Sequence, residues 1–547
     1  MSRSSALAAV LAVLVLAPQP VSGSEERVDL DMLTRIRAEG LERPQVMDTL
    51  FWLADVIGPR LTGSPEARKA SEWARDQLAR WGLSNVHVEP FPFGRGWAFT
   101  RASARLVAPR EAPLFALPEA WTPGTEGPVR GPVVQVKILT EKDFAQYHGK
   151  LAGKIVLLQE PRMLKLFTAG QAERLDEAGL AGLVQLQPPT PSQLQAQRTD
   201  ERLAVRKRAQ LRRALGQFLG EEKALALISA SGEEDILRVK SSGIWEQVDE
   251  EAARQGANGV PGLILTNEGY DGLVRLLDHG QPIELEIDIA SRYDNKGVQA
   301  VNTVAEIPGS DGRGEVVMAG AHLDSWHMGT GATDNATGCA VVTEALRILK
   351  AVGAKPRRTI RVVLWMGEEE GHLGSYYYVK EHFATRPEPV DPVQKALPEP
   401  LRDETWPLQL KPEYGKLAAY FNVDNGSGRI RGIYAEGNAA VRPIFEAWFE
   451  PLRDLGASAV TLRAKGESDH VSFDSVGLPG FQFIQDELDY RTRTHHTNLD
   501  VYDRARAGDL QLAAVVLASF LYNAAMRPDL LPRKPLPTAS GTGPFPY

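Results

Sequence analysis

A single cysteine, Cys339, in 547 residues excludes any intrachain disulfide, so stability has to come chiefly from core burial. Within the run Gly338-Cys339-Ala340-Val341-Val342 the thiol reads as a small apolar core group with no chemistry of its own. Blocks of like charge are missing too. The 70 acidic and 62 basic residues are interspersed and leave a net charge of −8, a balance that gives nucleic-acid binding no support. The N-terminal apolar run from Ala6 to Ala17 is shorter than the roughly 20 residues a membrane span needs. Arg3 precedes it and the small residues around Val21, Ser22 and Gly23 follow, so residues 1–23 read as a cleaved secretory signal. The expectation is a secreted or periplasmic protein with no stable membrane insertion. Around Ser468-Asp469-His470 nothing resembles a nucleophile elbow, and that segment reads as a structural turn rather than a serine triad.

What is present is an ordinary globular composition, 43% hydrophobic and 24% charged, long enough for two or more cores. Residues 24–124 begin with helical periodicity, in which Ser64 is placed to cap a helix opening at Pro65. Residues 125–295 turn to short β-rich runs, interrupted by an Arg- and Gln-rich stretch from about 190 to 255 with helical patterning. From 296 to 527 apolar strands alternate with amphipathic helices. Strands are predicted at Thr303 to Ile307, Glu315 to Ala321, Thr359 to Met366, Ala418 to Val423, Gly432 to Ala435 and Phe481 to Ile484, and helices at Asn335 to Ala351, Ser375 to Ala384, Ala439 to Leu455 and Gly508 to Ala525. That alternation predicts an α/β fold, a mostly parallel mixed sheet sandwiched by helices. A Pro-rich tail occupies residues 528–547.

In such sheets ligand-binding groups gather beyond the carboxyl ends of the strands, and five segments there carry suitable residues. Gly320-Ala321-His322-Leu323-Asp324 offers an imidazole with a carboxylate two residues on. Gly331-Ala332-Thr333-Asp334-Asn335 precedes a long apolar helix, where Asp334 or Asn335 caps the helix, or Asp334 instead bridges two cations. Glu368-Glu369-Glu370 ends a buried strand, a costly placement unless positive charge compensates it. Asp424 follows another apolar strand, and His495-His496 lies in a loop before the last long helix. Two histidines and three carboxylates make the nitrogen and oxygen set that suits two zinc ions sharing one bridging carboxylate.

These residues resemble the co-catalytic zinc peptidases of metallopeptidase family 28. The pattern H-x-D, a bridging Asp, E-E-x-G-x-x-G-S, an Asp after a strand and a late His before Thr or Ser is met in order, through HLDSW, GTGATDNATG and EEEGHLGS. The resemblance covers about 300 to 525, and Gly58 to Gly82 more loosely; residues 125–295 resemble the protease-associated domain inserted in some members. It implies two zinc ions per chain, with Asp334 bridging, His322 and Asp424 completing one site, and Glu369 and His496 the other. Asp324 would orient His322, and Glu368 would be the general base. Gly371 and Gly374-Ser375 fix the register of the three acids; His372 replaces a common Leu, and His495 stands where many members have an aromatic residue. The expected activity is exopeptidase hydrolysis of short peptides, as aminopeptidase or as dipeptidase or carboxypeptidase. A glutaminyl-cyclase-like aminoacyltransferase and a receptor or binding protein without catalysis are the alternatives. Homodimerisation is open.

Overall fold

The computed structural model describes residues 26–158, 160, 170–185, 190–232, 236–241 and 259–539; the expected signal over 1–23 lies outside the described residues. Near the start, Ser64 Oγ accepts the Ala67 N–H at 3.1 Å and Pro65 opens the helix Pro65–Arg80, as its capping sequence predicts. Ala67, Ala70, Ala74 and Leu78 recur on the buried face of that helix.

The strands, in chain order, are β1 (Ser84–Ala108), β2 (Ala112–Leu114), β3 (Ala116–Pro118), β4 (Val129–Gln135), β5 (Ile155–Leu157), β6 (Ala226–Ala230), β7 (Gly262–Leu265), β8 (Glu284–Ile307), β9 (Val316–His322), β10 (Thr359–Trp365), β11 (Ala384–Thr385), β12 (Gln409–Leu410), β13 (Leu417–Asn422), β14 (Ile430–Tyr434), β15 (Ala459–Thr461) and β16 (Gly480–Gln485). All but β11 and β12 join one mixed sheet, ordered β15-β14-β16-β13-β9-β10-β8-β4-β5-β6-β7-β3, with β1 paired to β8 and β2. At its centre β16, β13, β9 and β10 run parallel.

Covered faces explain why the central strands are mainly apolar on both sides. Ile360, Val362 and Leu364 of β10 pack into one core, while Val363 and Trp365 face a second. The first core is sealed by the helices Thr337–Ala351 and Ala507–Met526. Phe520 of the latter meets Phe421, Phe445, Trp448, Phe449 and Phe483 at ring centroid distances of 4.6–5.9 Å. Each buried ring of this kind contributes about 1.5–3 kcal/mol. Ala507–Met526 is long and apolar enough to cross a membrane, but 83% of its apolar window is buried inside the protein, which makes it a core helix.

A third cluster, with Ile155, Leu157, Ile228, Leu263, Leu265 and Ile287, belongs to β5, β6, β7 and the start of β8. The division expected at 124 and 295 does not coincide with breaks in the sheet. β3, at Ala116–Pro118, already pairs with β7, and β8 runs unbroken from Glu284 to Ile307. Long strands β1 and β8 thus join the two parts as one antiparallel ribbon.

Candidate metal centre

The carboxyl ends of β9, β10 and β13 lie side by side, with Trp365 paired to His322 and Asn422 to Gly320. That register brings His322, Glu368, Glu369 and Asp424 to one end of the sheet, as the strand-end rule predicts. Asp334 reaches them from the turn before Thr337–Ala351. Its neighbour Asn335, not Asp334, caps that helix: Asn335 Oδ1 accepts the Gly338 N–H at 3.0 Å, and its Nδ2 donates to Val423 O at 2.9 Å. Asp334 is left to face the pocket.

All five residues expected to hold cations converge there. His322 Nε2 lies 3.3 Å from Asp334 Oδ1 and 3.4 Å from Asp424 Oδ1. His496 Nε2 lies 3.3 Å from Asp334 Oδ2 and 3.0 Å from Glu369 Oε2. Donors on a tetrahedral ion with bonds of about 2.0–2.1 Å stand roughly 3.3 Å apart, which these His-to-carboxylate distances match; His322, Asp334 and Asp424 lie close enough together to share an ion, and on the other side so do Asp334, His495 and His496. His495 Nε2, at 4.0 Å from Asp334 Oδ2, is set further back. His322 Nε2, Asp334 Oδ2, Glu369 Oε1 and Asp424 Oδ1 are buried without a hydrogen-bond partner, a condition a bound cation would relieve.

The electrostatics point the same way. Burial, then the charges of Asp334 and its neighbours, holds the Glu369 carboxyl well above the usual carboxylate range. Glu368 is raised by the same first cause. Burial alone would lower His322, but Asp424, Glu368 and Asp334 outweigh it and raise the imidazole well above its ordinary value. The pocket thus gathers carboxyl groups that a bound cation would favour in their ionised form.

The supporting contacts were only partly readable in the sequence. The Asp324 carboxylate was expected to orient His322; instead its Oδ1 lies 3.7 Å from His322 Nδ1, and the nearer partner at 3.1 Å is the Asp324 backbone oxygen. The carboxylate itself accepts the Glu368 and Glu369 N–H groups at 3.3 and 3.2 Å, fastening the β10 loop to the end of β9. Ser468 donates to Asp424 Oδ2 at 2.6 Å. Asp500 accepts from Thr333 N and Asp334 N at 2.6 and 3.0 Å and so fixes the bridging turn. Arg60, fully buried, donates to the carbonyls of Leu53, Gly58, Leu323, Thr330 and Gly331 at 2.7–3.0 Å. Neither Asp500 nor Arg60 was singled out from sequence, since their partners are mostly backbone groups without a residue signature.

Asp469, buried behind this pocket, gives a pH test. Burial, then the charge of Glu368, pushes its carboxyl from 3.8 up to about 8. A carboxyl raised on folding binds its proton more tightly in the native state, so it costs nothing below pH 3.8, and its cost grows as pH rises toward about 8. In the metal-free protein Asp469→Asn is therefore expected to be stabilising by on the order of a few kcal/mol at the upper end of that window and near neutral at its acid end. Calorimetric melts across the window check this; a difference that stays flat with pH would count against it.

Comparison with known proteins supplies the remaining evidence. The model of peptidase family M28 matches residues 302–521. Carboxypeptidase Q of Homo sapiens is 26% identical over 494 residues, spanning 89% of this chain and 86% of its own length. An aminopeptidase of Pseudomonas aeruginosa is 29% identical over 269 residues, 43% of this chain and 44% of that one. Among solved structures, a peptidase M28 precursor from Shewanella amazonensis superposes with a TM-score of 0.61 at 24% identity, covering 93% of this chain and 98% of its own. A zinc aminopeptidase from Bacillus subtilis gives a TM-score of 0.55 at 18% identity, with coverage of 88% and 95%. At those identities the two structures speak to the fold, which they share with this chain.

Proposed function

We propose, on the match of residues 302–521 to peptidase family M28, a secreted two-zinc exopeptidase acting on short peptides. The observation that carries the proposal is the donor spacing, 3.0–3.4 Å across both halves of a pocket centred on Asp334. His322 and Asp424 would hold one ion, Glu369 and His496 the other, and Asp334 both. Bound zinc supplies a lowered water pKa and a polarised carbonyl. The chain's own contribution is proton handling and orientation. Glu368, whose Oε2 stands 4.0 Å from His322 Nε2, lies beside the ligands yet outside the closest donor pairs. It takes the proton of the attacking water and hands it to the departing amine nitrogen. Asp324, Ser468 and Asp500 hold the surrounding groups in register. Residues 125–295 are read as a protease-associated-like insertion, and the signal-like N-terminus supports export.

Both an aminopeptidase and a carboxypeptidase stand among the similar proteins, so the end of the peptide that is recognised is the open choice. Digestion of short peptides free at both ends, blocked at the amino end or blocked at the carboxyl end resolves it. Zinc-loaded protein is expected to release free amino acids and to stop when one end is blocked. Equal cleavage of both blocked forms would defeat the exopeptidase reading. A cyclase of the same fold would instead close amino-terminal glutamine and hold about one zinc ion.

A further inference from the structure

We propose that the region between β1 and β8 is a working part of the site: its segment 236–241 clamps the loop that presents His496 and thereby sets the cation affinity of the Glu369 and His496 half. The inference rests on the reading of His496 as a ligand.

The two halves of the pocket are held differently. The His322 side chain is 1% exposed and sits at the end of a central strand, whereas that of His496 is 31% exposed and lies in a loop. His496 also adopts φ +60°, a left-handed conformation that disfavours a residue with a side chain and persists where surrounding contacts hold it. The 326–333 stretch supplies some of those contacts, through Trp326 against the His496 ring and Thr333 Oγ1 bonded to Thr494 Oγ1 at 2.7 Å, and segment 236–241 supplies backbone bonds to the loop itself. Val239 N–H donates to His496 O at 2.8 Å, and Arg238 Nη1 donates to His495 O at 2.7 Å. Asn498 N–H donates to Leu237 O at 3.0 Å, while Asn498 Oδ1 accepts the Leu237 N–H at 2.7 Å. The segment thus lies against 495–498 like a short added strand, with Asn498 bonded to it in both directions.

The same region grips the other end of the loop. Glu173 and Leu488 exchange backbone hydrogen bonds of 3.0 and 2.9 Å, and Arg174 pairs with Asp486 at 3.0 Å. Between the two anchors runs the π-helical turn Tyr490–Thr494, which leads directly into His495 and His496. The loop's path to the pocket is therefore fixed in part by a region outside the elements that carry the other four residues. Asn498 and Val239 touch neither cation nor substrate in this scheme; they are positioning residues.

The test uses the full metal-free chain titrated with Zn²⁺ against a chelating indicator, comparing the parent with His496→Ala, Asn498→Leu and Asn498→Asp. Loss of contacts supporting a ligand typically costs about 10–100-fold in metal affinity, and that loss is expected at the weaker site of Asn498→Leu. Asn498→Asp keeps the acceptor for Leu237 N–H and should bind close to the parent. His496→Ala should lose the same ion outright. If His496→Ala loses an ion while Asn498→Leu binds both as the parent does, the clamp is wrong and the ligand reading stands. If His496→Ala keeps both ions, the ligand reading fails and takes the clamp with it. Hydrogen exchange in the unmutated metal-free protein needs no variant to fold: the Val239 and Asn498 amides should be protected, and exchange there as fast as in an open loop would overturn the clamp.

Discussion

Replacing Glu368 by Gln is expected to reduce peptide hydrolysis by about 10²–10⁴-fold, the usual contribution of a positioned general base, with zinc content unchanged. The substitution preserves size and removes the proton acceptor. The retention of zinc follows from geometry: the closest donor separations join His322, Asp334, Asp424, Glu369 and His496, while Glu368 is no nearer than 4.0 Å to His322 Nε2. Glu368 Oε1 also lies 3.3 Å from His372 Nε2, so the carboxylate is flanked on both sides and has little room to swing into a ligand position. Turnover rates and zinc per chain measured on the same preparation decide the matter. Near-parental turnover would remove Glu368 from its role, and a lost ion would make it a ligand instead.

Asp334→Ala should be more drastic, taking away both ions and all measurable hydrolysis. Asp334 gives one oxygen to each half, at 3.3 Å from His322 Nε2 and from His496 Nε2. Without it each half keeps only two of its side chains, fewer than the three or four protein ligands that hold zinc firmly. A ligand that binds only the native state raises its stability, so a chelator should lower the melting temperature of the parent and leave that of Asp334→Ala unmoved. Two zinc ions retained per chain in the variant would contradict a bridging Asp334.

The peptidase-region strands were legible because each is largely buried on both faces and so reads as a mainly apolar run. The reading of Thr359 to Met366 met a strand at Thr359–Trp365, and that of Ala418 to Val423 met one at Leu417–Asn422. β1 was not legible. Pro90, Pro92, Gly94 and Gly96 interrupt any alternation, and register shifts near Pro92, Gly94 and Gly96 let them be absorbed against β8. Convergence of the five pocket residues was legible because His322, Glu369 and Asp424 follow strand ends and Asp334 and His496 sit in loops ahead of long helices. Their fastening was not, since Arg60, Asp324 and segment 236–241 act mostly through backbone carbonyls and amides that no residue pattern announces. The motif resemblance pointed to which side chains meet, and tertiary contacts chose how firmly they are held.

The buried guanidinium of Arg60 has one more consequence. It ties the turn at Gly58 to Leu323, Thr330 and Gly331, the chain leading out of β9 toward Asp334, through bonds that no zinc ion takes part in. Emptying the pocket therefore leaves its frame standing. Zinc bound as proposed is expected to come and go without unfolding the chain, unlike in small domains whose folding depends on the metal. The protein should survive repeated stripping and refilling, its activity following free zinc in the surroundings while its fold does not.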